Sequence, residues 1–142
     1  MTGSLTVVGS ISTVDHVCFK SRQAAVCVEM GKRVLVAIGG NAILKRSEKG
    51  SVDEQFRNVR SVCRNLANII LDGYSVAITH GNGPQVGDIF LKNELARSLL
   101  PTMPLDVCVA QSQGMLGYML QQVLSNELKS KGLDIQVVTV LT

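Results

Sequence analysis

Two apolar strands that each run into a glycine turn constrain this chain more than any other feature. Val34-Leu35-Val36-Ala37-Ile38 leads into Gly39-Gly40-Asn41-Ala42, and Val76-Ala77-Ile78-Thr79-His80 leads into Gly81-Asn82-Gly83-Pro84-Gln85-Val86-Gly87. In α/β sheets, ligands bind in the crevice outside the carboxyl ends of the strands. Glycine at those ends lets backbone N–H groups approach an anion with no Cβ in the way. Two such turns facing one crevice make a site for a small phosphorylated molecule.

The rest of the pattern supports an alternation of strand and helix. Residues 33–38 are a short apolar run of buried-strand type. Ser51 and Glu54 stand at capping-box spacing and open a helix whose apolar face is Val59, Val62, Cys63, Leu66, Ile69 and Ile70, with Gly73 as its stop. Residues 74–79 are the second strand. Pro84 suits the first turn of a helix reaching about residue 97. After a connection over 99–104, a longer helix spans about 105–129 and turns Cys108, Val109, Leu116, Met119, Leu120, Val123 and Leu128 inward; Gly132 ends it. Residues 136–141 form a third strand. The expected fold class is therefore α/β, a parallel open sheet with helices on both faces in three αβα layers.

Length and charge remove several function classes. The 142 residues suffice for one domain and its core. The apolar stretch over 34–44 is too short to cross a bilayer and carries Asn41 in its middle. A net charge of +3 with basic residues scattered, and only 4% aromatics, does not make the basic stripe with stacking rings that nucleic acid requires. Cys18, Cys27, Cys63 and Cys108 lack the close spacing of a metal or disulfide framework and read as reduced thiols, which suits a cytosolic compartment. Residues 1–29 are rich in Ser, Thr and Val without a clear period. They are expected to be a disordered extension or a misassigned start, with residues 30–142 as the domain proper.

The turns themselves exclude the two commonest nucleotide motifs. The second reads Gly81-x-Gly83-x-x-x-Gly87 with Pro84 inside it, which is not a dinucleotide fingerprint, and no G-x-x-x-x-G-K-[ST] string exists. What remains is a pair of short nests with helix N-termini, suited to a phosphoryl or carboxyl group. Asn41 and Asn82 add amide donors at matching places. Other residues have plain readings. His80 is a strand-end histidine bonded to backbone rather than an acid or base. Arg57, Arg60 and Arg64 make a solvated stripe, and Asp106 favours a helix N-terminus. Gly114 and Gly117 let a neighbouring element pack closely, with Gln113-Gly114 a second approach to the crevice.

Taken together, these strings resemble the carbamate kinases of the amino-acid-kinase superfamily. The resemblance is carried by Ala37-Ile38-Gly39-Gly40-Asn41-Ala42, the string from Thr79 to Gly87, Met103-Pro104-Leu105-Asp106-Val107-Cys108, Gln113-Gly114-Met115-Leu116-Gly117-Tyr118 and Val138-Thr139-Val140-Leu141-Thr142. It runs from about Lys32 to the last residue. Acetylglutamate-kinase-like members place a lysine two residues before the first Gly-Gly. Here that position is Ala37, as in the carbamate kinases.

The resemblance implies reversible phosphoryl transfer between ATP and carbamate, with carbamoyl phosphate and ADP consumed in the ATP-forming direction at the end of arginine fermentation. It implies ATP or ADP with Mg²⁺ as cofactors, a homodimer, and a cytoplasmic setting. By the same resemblance Gly39, Gly40, Asn41, Gly81, Asn82 and Gly83 hold the carbamate or the transferring phosphoryl group. The charge-bearing lysines and most of the nucleotide pocket are expected beyond Thr142, so the resemblance assigns no catalytic residue and no metal ligand within these 142 residues. A chain carrying only the N-terminal half is expected to be a truncated fold that is not a competent kinase alone. The alternative is a non-catalytic module that binds the anion or modulates a dimer.

Overall fold

The computed structural model describes residues 33–142 throughout, and before them the backbone of three strands: β1 (Leu5–Val8), β2 (His16–Lys20) and β3 (Ala25–Met30). The elements that follow are β4 (Arg33–Ile38), α1 (Gly40–Ile43), α2 (Val52–Leu71), β5 (Ser75–His80), α3 (Gly83–Leu95), α4 (Leu105–Ser130) and β6 (Val138–Val140). Every strand and long helix expected from residue 33 onward is present. The third strand is shorter than its apolar run, and α3 stops two residues before the expected Arg97.

The strands form one six-stranded sheet in the order β2-β3-β4-β5-β1-β6. β4 and β5 are parallel neighbours, with Val34 opposite Val76, Val36 opposite Ile78 and Ile38 opposite His80. β1 pairs antiparallel with both β5 and β6, so β4, β5 and β6 run in one direction. Every antiparallel pairing of the sheet involves β1, β2 or β3. The carboxyl ends of β4 and β5 open at the same edge, where both glycine turns begin.

Helix α2 forms where its sequence provides both a start and a face. Ser51 Oγ accepts from the Glu54 N–H at 3.3 Å, and the Glu54 carboxylate accepts from the Ser51 N–H at 2.9 Å. That reciprocal cap satisfies two of the N–H groups a helix start leaves over. Gly73, at φ +91°, ends the element in the left-handed region that glycine adopts without a Cβ clash. Val59, Cys63, Leu66, Ala67 and Ile70 face inward from α2, and Leu116, Met119, Leu120, Val123, Leu124 and Leu128 from α4. The two helices pack on each other and on the face of the sheet bearing Val34, Val36, Ile38, Val76 and Ile78, which makes one continuous core. Full burial of each Leu, Ile or Val contributes about 1.5–3 kcal/mol, so this layer holds the strand ends in place.

Between α3 and α4, the connection over 96–104 is tied back by Asn93. Its Oδ1 accepts from the Met103 N–H at 3.2 Å, while its amide nitrogen donates to the Ile89 carbonyl at 3.0 Å. Gly117 meets the expectation of close approach: a Cβ there would overlap Thr139 Cγ2 of β6. Gly114 does not, since a Cβ at that position meets nothing within 4 Å. Cys63 and Cys108 are buried, unpaired thiols. The side chains of Cys18 and Cys27 lie outside the described residues.

Candidate functional site

The two glycine turns are stitched together directly. The Gly81 N–H donates to the Ile38 carbonyl at 3.1 Å, joining the first residue beyond β5 to the last residue of β4. A Cβ on Gly81 would stand 3.7 Å from the Gly40 nitrogen, and one on Gly40 would stand 3.6 Å from Pro84 Cδ. None of Gly39, Gly40, Gly81 and Gly83 has a positive φ. Glycine is therefore not required by backbone conformation at these positions. What its absent Cβ provides is room. At Gly83 a Cβ would enter space with no protein atom within 4 Å, over the first turn of α3.

The starts of α1 and α3 both lie at these turns, and neither has a side-chain cap. This contrasts with α2, whose capping box is complete. The difference does not arise from a lack of suitable residues at α3. Asn82 occupies the N-cap position and Gln85 stands at N3, a pair able to cap reciprocally. Both side chains are turned elsewhere. Asn82 Nδ2 donates to Ser112 Oγ on α4 at 2.7 Å, and Ser112 in turn donates to the Val109 carbonyl at 2.7 Å. Gln85 Nε2 donates to Gln55 Oε1 on α2 at 3.1 Å, and Gln55 Nε2 donates to the Gly50 carbonyl at 2.9 Å. The first turn of a 13-residue helix is thereby left to the backbone N–H groups of Gly83 and Gln85, since Pro84 has none, and these carry partial positive charge at the end of the helix where the glycine turns meet. Such an arrangement binds a phosphate or carboxylate oxygen.

Of the sequence-expected site residues, the structure brings Gly39, Gly40, Gly81 and Gly83 to one place. Asn41 is exposed on α1 beside them. Asn82 is buried, and its amide nitrogen is spent on Ser112. Gln113 does not reach the crevice with its amide, which clasps the backbone of Thr142 in both directions at 3.0 and 3.2 Å. His80 is buried at the end of β5, its Nδ1 3.4 Å from the Gly81 carbonyl oxygen. Burial holds its pKa below the ordinary histidine value, partly offset by that carbonyl. Arg64 pairs with Glu127 at 3.6 Å, while Arg57 and Arg60 line a groove of about 460 Å³ between α2 and α4, away from the turns.

Sequence reading missed the polar residues beneath the turns: Gln55, Asn58, Gln85 and Ser112, all buried. Asn58 Nδ2 donates to the Ile43 carbonyl at 3.1 Å and to Glu48 at 2.6 Å, so it holds the loop leaving α1. The signal was present in the helical phase. Gln55 and Asn58 extend the apolar stripe of α2 toward its N-terminus, and a polar residue in phase with an apolar stripe must find a partner when buried.

The amino acid kinase family matches residues 32–141, and both glycine turns fall inside that span. This chain belongs to the amino acid kinase family. It is 50% identical over 115 residues to the carbamate kinase of Pyrococcus furiosus, covering 80% of this chain and 37% of the relative. It is 44% identical over 112 residues to the carbamate kinase of Giardia intestinalis, covering 79% of this chain and 35% of that one. Among solved structures, carbamate kinase from Giardia lamblia bound to AMP-PNP superposes with a TM-score of 0.70 and 46% identity, over 72% of this chain and 36% of the other. This family member therefore spans just over one third of the length of the relatives it matches. No helix among its described residues is long and apolar enough to cross a membrane.

Proposed function

We propose that residues 30–142 form the carbamate- and phosphoryl-holding side of a carbamate kinase, the enzyme that moves a phosphoryl group reversibly between carbamate and ATP. One observation carries the reading: the uncapped N-terminus of α3 faces the two joined glycine turns, in a chain 50% identical to a carbamate kinase over the matched span. In phosphoryl transfer a protein chiefly positions the reactants and offsets charge spread over the transferring oxygens. The N–H groups of Gly39, Gly40, Asn41, Asn82 and Gly83 serve the positioning, while the Gly81 N–H joins the two turns through the Ile38 carbonyl. The Asn82 side chain serves the positioning from behind by fixing α4 through Ser112.

The offsetting charge is a different matter. ATP or ADP is the co-substrate such a kinase takes, with Mg²⁺ accompanying the nucleotide in this reading. The share of this chain's own residues is to hold and orient the anion. The chain alone is expected to bind that anion and not to turn it over, the behaviour of a binding module. A homodimer and a cytoplasmic setting belong to the same reading, and the buried, unpaired Cys63 and Cys108 suit a reducing compartment.

The test is a titration of phosphate and of carbamoyl phosphate into ¹⁵N-labelled protein, alongside an assay of ATP formation from carbamoyl phosphate and ADP. Amides of residues 39–41 and 81–83 are expected to shift, with no ATP formed. Gly83→Ala is expected to weaken binding by about tenfold, since its methyl enters the space over the helix start. The same substitution leaves stability unchanged or raises it by up to about 1 kcal/mol, because alanine is the better helix former. A ligand that shifts no amide in either turn sinks the proposal.

A further inference from the structure

The glutamine pair beneath the second turn has an orientation that can be read without ambiguity. The Gly50 carbonyl only accepts, so the Gln55 amide nitrogen must face it. Gln55 Oε1 then faces α3, and Gln85 must present its own nitrogen to it. The consequence is that Gln85 Oε1 has no donor. It is the one buried side-chain polar atom among the described residues left without a partner, on a residue only 2% exposed. Leaving a buried acceptor unpaired is unfavourable. A glutamine at N3 has an obvious alternative, which is to fold its carbonyl back onto the N–H of the N-cap residue, as Glu54 does at the start of α2.

We infer that Gln55 is a positioning residue that withholds Gln85 from capping its own helix, and so keeps the N-terminus of α3 open for the anion. The inference rests on the function proposed above and deepens it. Gln85 is a competitor for the Asn82 N–H at that helix start, and its side chain is drawn aside by the bond its amide nitrogen donates to Gln55 Oε1 on α2. Asn82, the other half of the unformed capping box, is drawn aside by Ser112 in the same way. The orphaned Oε1 of Gln85 is then the stability cost of keeping the helix start vacant.

This arrangement predicts a reversal that a merely structural pair would not show. Gln55→Met keeps the side-chain volume but releases Gln85. The freed carbonyl is expected to cap α3 and to weaken phosphate binding by about fivefold, because phosphate must now displace a cap. Gln85→Met removes the competitor and is expected to bind phosphate within about twofold of the wild type. The double variant is expected to bind like Gln85→Met, so the second substitution rescues the first. If the pair only braced the fold, both single variants would lose affinity together and the double would be worst.

The experiment measures phosphate affinity for the four proteins by amide shifts, with thermal melts to confirm that each is folded. It also follows hydrogen exchange of the Asn82 N–H without ligand. In Gln55→Met that exchange is expected to slow about fivefold, and to return to the wild-type rate in the double variant. Unchanged Asn82 exchange in a folded Gln55→Met protein overturns the inference, as does a loss of affinity that Gln85→Met fails to rescue. A wild-type protein that binds no phosphate overturns the proposed function instead, and leaves Asn82 exchange to decide whether Gln55 withholds the cap.

Discussion

His80 shows how far one residue type can be read from its neighbours in sequence. A histidine between a buried strand and a glycine turn reads as structural, and it is buried with its Nδ1 near the Gly81 carbonyl. Its pKa is lowered, chiefly by burial, so the folded protein holds the imidazole neutral more strongly than the unfolded chain does. The unfolded state therefore binds more protons below the ordinary histidine pKa. His80's contribution to stability is full above about pH 6.5 and is lost as pH falls below it. Denaturation measured between about pH 7.5 and 5 is expected to show a smaller loss of stability for His80→Gln than for the wild type. Equal losses in the two proteins would mean that His80 is not the titrating group. Asn82 shows the limit of such reading. Its place in a glycine turn was legible, but its hydroxyl partner lies 30 residues away on another helix, and no local pattern reveals which side chains meet across a core.

At the level of elements, the apolar periods and stop signals from residue 33 onward were legible because each is local. Ser51 with Glu54 marks a start, while Gly73 and Gly132, both at positive φ, mark stops. The contact of β6 with α4 was legible only in part, since two glycines suggested a close approach and just one makes it. At Gly117 two effects oppose each other. Alanine in a helix interior gains about 1 kcal/mol over glycine. Overpacking at a fixed contact costs about 1–3 kcal/mol. The contact is fixed, because the Thr139 N–H donates to Gln121 Oε1 at 3.1 Å and Thr139 Oγ1 donates to the Gly117 carbonyl at 3.0 Å. Because the added Cβ would overlap Thr139 directly, the cost falls at the upper end of that range, and Gly117→Ala is expected to destabilise by about 2 kcal/mol in chemical denaturation. Adding Thr139→Ser, which deletes the overlapping Cγ2 but keeps the hydroxyl bond, is expected to recover more than half of that loss. A neutral Gly117→Ala would mean that β6 does not rest on α4 at this point.

For the molecule as a whole, the mean hydropathy of +0.25 announced surplus apolar surface without saying where it lies. The structure concentrates it at the far end of α3 and along the following connection. Leu91 and Leu95 on α3, Leu99 and Leu100 beyond it, and Leu105 at the start of α4 are all exposed, with Leu95 at 77% and Leu99 at 84%. Sequence could not locate this patch, because leucines at helical spacing look alike whether they meet a core or solvent. Clustered exposed leucines drive association through burial of apolar area, a force that salt does not screen. Sedimentation at rising protein concentration is therefore expected to show self-association that persists in high salt. Leu95→Lys combined with Leu99→Lys is expected to shift the protein toward monomer while changing stability by less than about 0.5 kcal/mol, since neither side chain contributes to the core. The opposite pattern, a large fall in stability with association unchanged, would place these leucines inside the folded unit rather than on its surface. The patch lies on α3 beyond its first turn and the glycine turns begin at the opposite end of that helix, so phosphate binding is expected to survive the double substitution. Association and anion binding can then be separated within one chain, as they must be if the turns act without a partner covering the leucines.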